Sequence, residues 1–183
     1  LLGLKVLDAD GTGSNADIAA GINYATMLRQ NGEANVRVLN ASFASSLPSD
    51  AISNSIRAAG EAGIMLVTAA GNFGEDIDAP THQSFPAEYP HDNIIVVANV
   101  QSDGALTSSS NYGDTEVDLA APGMSILSTA RGDGYAELSG TSMSAPVVSG
   151  ALALFIPHIS LASCSRRLLA WQDRVSLLRR FGL

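Results

Sequence analysis

The sequence predicts an α/β fold, a parallel sheet with helices on both faces. Four short apolar runs have the length of strands and lack polar alternation: "LKVLDA" (4–9), "VRVL" (36–39), "IMLVTAA" (64–70) and "NIIVVANV" (93–100). Stretches with apolar residues at helical spacing separate the first three. Continuous apolar strands divided by helices belong to a sheet buried on both sides. A third observation is the apolar, small-residue stretch 142–155, which reads as a helix packed closely on its neighbours.

Taken in order, the first run is followed by Ser14 and, three residues on, Asp17. That spacing is a capping box, and it opens a helix with Ile18, Ile22, Ala25 and Leu28 along one face. After the second run, Ser49 caps a helix carrying Ile52, Ile56 and Ala59, which ends around Gly60–Gly63. The third run then begins a fully buried strand, and the fourth follows after a loop. From 101 to 139 the texture turns to short strands and turns, the loop-rich surface of a scaffold. In 142–155, Ser144, Ala145, Ser149, Gly150, Ala151 and Ala153 keep the helix thin, so burial on all sides is expected. Pro146 falls in or near its first turn, where a missing N–H is least costly. A last helix is expected over about 161–171, with Leu161, Leu168 and Trp171 on one face.

Composition bounds the function. With 183 residues, 46% hydrophobic and 15% charged, the chain suits one globular domain. Gly, Ser and Pro interrupt every apolar run before the eighteen or so residues of a membrane span, so no membrane partner is expected. The start lacks the basic region of a signal peptide, and because it is Leu1, not Met, an upstream start is expected. The one cysteine, Cys164, leaves no internal disulfide and no cysteine-rich zinc site. Residues 161–183 carry +4 of a net charge of −8, leaving −12 for the rest, with Lys5 the sole lysine. Such an acidic body excludes the basic face that supplies most nucleic-acid affinity. The basic tail reads as a solvated helix face.

Three loops invite chemistry and two fail on their residues. Gly11-x-Gly13-x-x-Ala16, with Glu33 about twenty residues on, approaches a dinucleotide-binding fingerprint. Asp8 and Asp10 would repel the phosphates, and the glycines come too late after the apolar run. As an EF-hand loop from Asp8, the same stretch puts Ala19 where a bidentate glutamate is required. The acidic cluster "GEDID" (74–78) reads as a solvated loop. The third candidate is Ser142, at the start of the 142–155 helix. There, backbone N–H groups and the helix dipole favour negative charge, so an oxyanion forming beside it is stabilised. Asn72, ending "AAGN" (69–72), offers a side-chain amide as a second donor. Taken alone, Ser142 reads equally as a helix cap and Asn72 as a turn residue. A nucleophile elbow needs glycine where Ser144 stands, and a Ser-x-x-Lys dyad is impossible when Lys5 is the only lysine.

"GTSMSAPVVSGALAL" resembles the catalytic-serine motif of the subtilisin-like serine proteases (subtilases, peptidase S8), and "VTAAGN" resembles their oxyanion-asparagine motif. "KVLDADGTGSNADIAAGINYA", "VLNASFASS", "FPAEYPHDNIIVVANV" and "VDLAAPGMSILST" follow in family order over about residues 3–157. More weakly, "RRLLAWQDRVSLLR" looks like the family's closing helix, about 160–183 including the basic tail. The resemblance implies a subtilisin-like fold and a serine endopeptidase acting on polypeptides through an acyl-enzyme. It implies Ser142 as nucleophile, with Asn72 and the Ser142 N–H as oxyanion donors. Ser42, Phe43, Ala44 and Ser45 would face Ala69, Ala70 and Gly71 across the pocket for the residue before the scissile bond. Asp10, Gly11, Thr12 and Gly13 would border the groove for the extended peptide. No cofactor is implied for the chemistry, structural calcium is allowed, and secretion is implied.

The chain departs from the family pattern in three ways. In the family a run like "SFAS" is often serine, an apolar residue, then glycine, so Ala44 and Ser45 here are expected to narrow the pocket mouth. Val147 stands where many members have histidine after the proline. Neither upstream motif of the Asp…His…Ser order is present: no Asp-Ser/Thr-Gly near the start and no His-Gly-Thr-His anywhere. His82, His91 and His158 have the wrong neighbours for a catalytic base. The expectation is therefore the C-terminal part of a subtilase catalytic domain, incomplete at its N-terminus and inactive alone. Its missing partner would be the N-terminal part of the same domain, upstream of Leu1. A non-catalytic peptide-binding remnant is the alternative, and a dinucleotide-binding domain the more distant one.

Overall fold

The computed structural model describes residues 1–156. The expected helix over 161–171, the basic tail, Cys164 and His158 lie outside the described residues. Within them the element order is α1 (Asn15–Gln30), β1 (Val38–Ala41), α2 (Asp50–Glu61), β2 (Met65–Ala69), β3 (Ile94–Val100), β4 (Leu119–Pro122), β5 (Ile126–Ala130), β6 (Gly134–Leu138) and α3 (Thr141–Phe155).

Strands β1 to β4 form one sheet in that order, every pair parallel, with Ala41 beside Thr68, Ala69 beside Val97 and Ala98 beside Ala120. Alternate side chains leave opposite faces of a strand, so a sheet with two apolar faces needs cover on both. Ile64 and Leu66 of the β2 region and Ile94 and Val96 of β3 pack with Ile18 and Ile22 of α1 and Ile52 and Ile56 of α2. Val67 and Val97, one residue on, point the other way and meet Ala121 of β4 and Ala145 and Val148 of α3. The antiparallel β5–β6 ribbon stands outside this sheet.

Both serine caps are present. Ser14 accepts from Asp17 N at the start of α1, and Ser49 accepts from Ile52 N at the start of α2.

Two expectations are corrected. "LKVLDA" forms no strand, because no strand among the described residues lies alongside to bond its backbone. Val6 and Leu7 nevertheless pack against the core, so the apolar signal reported burial and not pairing. The second correction is α3, which is not buried all round. Thr141, Ser144, Ala145 and Val148 are buried against the sheet, while Val147 and Leu154 are exposed. Only one side of the helix meets the sheet, and no described residue covers the other.

Candidate active site

The four strands run in parallel, so their C-terminal ends open on one side, where ligand crevices of such sheets lie. Residues 42–45 leave the end of β1 and residues 70–72 leave the end of β2, side by side in the register that pairs Ala41 with Thr68. The start of α3 arrives at the same place. Ser42 Oγ donates to Ser142 O at 2.9 Å, and Ser142 Oγ donates to Ser42 O at 3.3 Å. This reciprocal pair fastens the first turn of α3 to β1.

Gly140 caps α3 with φ of 143°, in the region L side chains rarely adopt. A Cβ there would lie 3.1 Å from Asn72 Oδ1, so glycine lets the Asn72 side chain lie against the helix start. Asn72 Oδ1 accepts from Thr141 N at 2.9 Å and from Thr141 Oγ1 at 3.0 Å. The same Thr141 hydroxyl accepts from Gly71 N at 3.3 Å. Both lone-pair directions of the Asn72 carbonyl are therefore taken on the helix side. Its Nδ2 group has no acceptor among the described residues, and neither does the backbone N–H of Ser142. Asn72, bonded to Thr141, and the Ser142 N–H thus meet at the N-terminus of α3, where the half-buried Ser142 hydroxyl also sits and where the helix dipole favours a developing anion.

Among the described residues no imidazole accompanies them. His91 Nε2 is 2.8 Å from Ser53 Oγ, and its ring lies near Tyr89. His82 Nε2 is 4.0 Å from Glu75 Oε1. The Ser142 hydroxyl donates instead to a backbone carbonyl, which is no general base.

The expected pocket walls are placed unevenly. Ser42 and Phe43 are half-buried, with Phe43 packed against the core; Ala44 and Ser45 are exposed. Ser45 exchanges backbone hydrogen bonds with Phe85, both at 2.8 Å. Ala69, Ala70 and Gly71 are buried, and Ala70 O accepts from Ser84 Oγ at 3.0 Å and from Asn111 Nδ2 at 3.1 Å.

The Asp10, Gly11, Thr12 and Gly13 loop makes no hydrogen bond to Ser142 or Asn72. Arg131 Nη1, from the β5–β6 turn, donates to Ala9 O beside it. Thr12 and Gly13 also border a groove of about 730 Å³ between residues 4–8 and α1, a different place from Ser142.

That loop also argues against a dinucleotide. Asp8 Oδ1 accepts from Asp10 N and Thr12 N, both at 2.9 Å, so the amides a pyrophosphate would need already serve a carboxylate. The Thr12 and Asp10 amides hold the Asp8 carboxyl below its ordinary range, with Lys5 adding to the effect.

Sequence reasoning missed Thr141 and Asn111. Thr141 sits inside the "GTS" string, so its place beside Ser142 was a usable signal. Asn111 had none, because its partners lie about forty residues away.

A subtilase family model matches residues 1–165. The chain belongs to the subtilase family. It is 38% identical over 154 residues to a thermostable alkaline protease of Halalkalibacterium halodurans, covering 84% of this chain and 39% of that protein. It is 37% identical over 166 residues to subtilisin DY of Bacillus licheniformis, covering 91% of this chain and 57% of that protein. The solved structure of a cold adapted subtilisin-like serine proteinase superposes with a TM-score of 0.72 at 30% identity, over 94% of this chain and 56% of the other. This subtilase therefore shares the subtilisin-like fold, and it spans between about two fifths and three fifths of the length of these relatives.

Proposed function

We propose that this subtilase chain carries the nucleophile and the oxyanion-binding half of a serine endopeptidase site. One observation carries the reading. The Thr141 amide and hydroxyl hold Asn72 Oδ1, so the Asn72 side chain is bonded to the residue next to Ser142 with its Nδ2 donor unused. In the reaction, a histidine supplied by the remainder of the catalytic domain, and not by His82, His91 or His158, takes the Ser142 proton, and Oγ attacks the scissile carbonyl of a polypeptide. The carbonyl oxygen becomes an oxyanion held by Asn72 Nδ2 and Ser142 N. Collapse expels the amine, which takes the proton from the histidine, and water hydrolyses the acyl-enzyme. In a subtilisin, removing the corresponding kind of asparagine donor lowers turnover by roughly 10²–10³, and a loss of that order is expected for Asn72 in an active enzyme.

The peptide would lie extended past residues 42–45, 69–71 and 10–13, and the enzyme would act outside the cell, as family membership supports. The chemistry calls for no cofactor. Among the described residues no three His, Cys, Asp or Glu side chains gather to hold a metal ion. Asp78, within the "GEDID" cluster, instead accepts from Thr115 N, Thr115 Oγ1 and Glu116 N. With no base beside Ser142 among the described residues, residues 1–183 alone should turn over peptide negligibly.

A peptide boronic acid tests the reading at equilibrium. Boron is expected to become tetrahedral on Ser142, seen by boron NMR, and the Ser142→Ala chain should show only trigonal boron. Peptide binding with boron left trigonal in the parent would instead favour a non-catalytic peptide-binding module.

A further inference from the structure

Asn111 lies in the loop between β3 and β4 and is 3% exposed. All of its polar groups toward the β2 side serve one segment. Its Nδ2 donates to Ala70 O at 3.1 Å and its backbone N–H to Gly71 O at 2.9 Å. Its Oδ1 accepts from Phe73 N at 2.9 Å and from Glu75 N at 3.2 Å. These four bonds bracket Asn72 on both sides and leave Asn72 itself untouched. The fit is close. Gly71 has φ of 112°, and a Cβ there would lie 2.4 Å from Asn111 Nδ2.

Asn111 is itself anchored to the sheet. Ser110 Oγ donates to Asn111 O at 2.9 Å and accepts from Asn99 N of β3 at 2.9 Å. A line of hydrogen bonds thus runs from a buried central strand to the backbone that carries Asn72. Thr141 fixes the other end of the same residue by gripping its side-chain carbonyl. A buried asparagine that ties down a loop is commonly structural. Here, though, the segment it holds carries the exposed Asn72, whose side-chain carbonyl is bonded to Thr141 beside Ser142 and whose amide donor is unused, and catalytic donors gain their effect from fixed placement.

We propose that Asn111 is a positioning residue for the Asn72 oxyanion donor: it sets the backbone of 70–75 so that the Thr141 grip leaves Asn72 Nδ2 aimed beside Ser142. The inference rests on the reading of Asn72 as an oxyanion donor. An ångström of misplacement costs catalytic geometry up to about 10²-fold, so loss of the clamp should weaken oxyanion binding by roughly tenfold.

The test uses the full chain with Asn111→Ala, Asn72→Ala and the double variant. Each is titrated with a peptide boronic acid and with the same peptide as a carboxamide, which forms no tetrahedral centre. Asn111→Ala should weaken the boronate about tenfold, leave the carboxamide unchanged, and cost nothing further in the Asn72→Ala background. Equal weakening of both ligands, or an undiminished loss in the Asn72→Ala background, makes Asn111 merely structural and overturns the inference. The heteronuclear NOE of Asn72 Nδ2 supplies a readout independent of boron. It should fall in Asn111→Ala, and an unchanged value overturns the positioning role. If the parent holds boron trigonal while this NOE falls, the clamp stands and the oxyanion reading fails. Should Asn111→Ala not fold, Asn111→Asp keeps both acceptor bonds and should move each readout less in the same direction.

Discussion

Thr141→Val is the most informative single change at the site. Thr141 is fully buried, and its hydroxyl donates to Asn72 Oδ1 at 3.0 Å and accepts from Gly71 N at 3.3 Å. Valine keeps the shape and removes both bonds. Gly71 is buried, so its N–H loses its partner without gaining water, at about 1–3 kcal/mol. The added methyl returns about 0.8 kcal/mol of burial. The net expectation is about 1–2 kcal/mol of destabilisation, read by urea unfolding followed by circular dichroism. Asn72 Oδ1 keeps only the Thr141 N–H, so boronate affinity should fall as well. Thr141→Ser separates the two effects, because it keeps the hydroxyl and loses a methyl group. It should cost about 1 kcal/mol of stability and leave boronate affinity near the parent. A Val variant as stable as the parent, or a Ser variant that binds boronate as weakly as Val, would refute the role given to the hydroxyl.

Other perturbations probe neighbouring parts of the molecule. Gly71→Ala forces a side chain into positive φ and against Asn111 Nδ2, so it should cost about 1–3 kcal/mol from backbone strain, and melting within a degree of the parent would contradict the geometry. Ile56→Ala empties a fully buried site between α2 and the sheet, with an expected loss of about 2–5 kcal/mol in the same unfolding assay. Glu116 has its carboxyl held above the usual 4.5 by burial first, then by Glu88, Asp78 and Asp118, and Glu88 is raised by burial. A raised folded pKa means stability fully present below the ordinary carboxylate value of 4.5 and lost as pH rises through the folded value, so this cluster's contribution to the melting temperature should climb as pH falls from neutrality toward 4.5. Glu116→Gln should raise the melting temperature at neutral pH and flatten that climb, and an unchanged slope would count against the cluster. Asp8 and Asp78 are lowered below 3.8, so their contribution works in the opposite sense and is lost only at more acid pH.

The sheet and its caps were legible because they rest on local rules. Ser14 and Ser49 cap helices by side-chain bonds to residues three positions on, and the apolar runs at β2 and β3 matched their strands within a residue. "LKVLDA" misled because an apolar run reports burial, whereas a strand also needs a neighbour to bond. The outer face of α3 misled because small and apolar residues surround the helix, although only the Ala145 and Val148 side meets the sheet. That Ser142 opens α3 and Asn72 follows β2 was legible from the ends of the apolar runs. The bonds around Asn72 were not, because Thr141 reaches its side chain across sixty-nine positions and Asn111 reaches Ala70, two residues before it, across forty-one. Such pairings come from the order of strands and leave no periodic trace.

Ser142 opens α3 with no imidazole beside it among the described residues, and the proposed function makes it a nucleophile that lacks its base. The most direct measurement is the rate at which a fluorophosphonate probe labels Ser142 in this chain, mapped by mass spectrometry, with and without added imidazole. Labelling is expected to be far slower than that of an intact subtilase, confined to Ser142, and accelerated by imidazole as a substitute base. Labelling as fast as an intact subtilase without imidazole, or labelling centred on another serine, would contradict the claim.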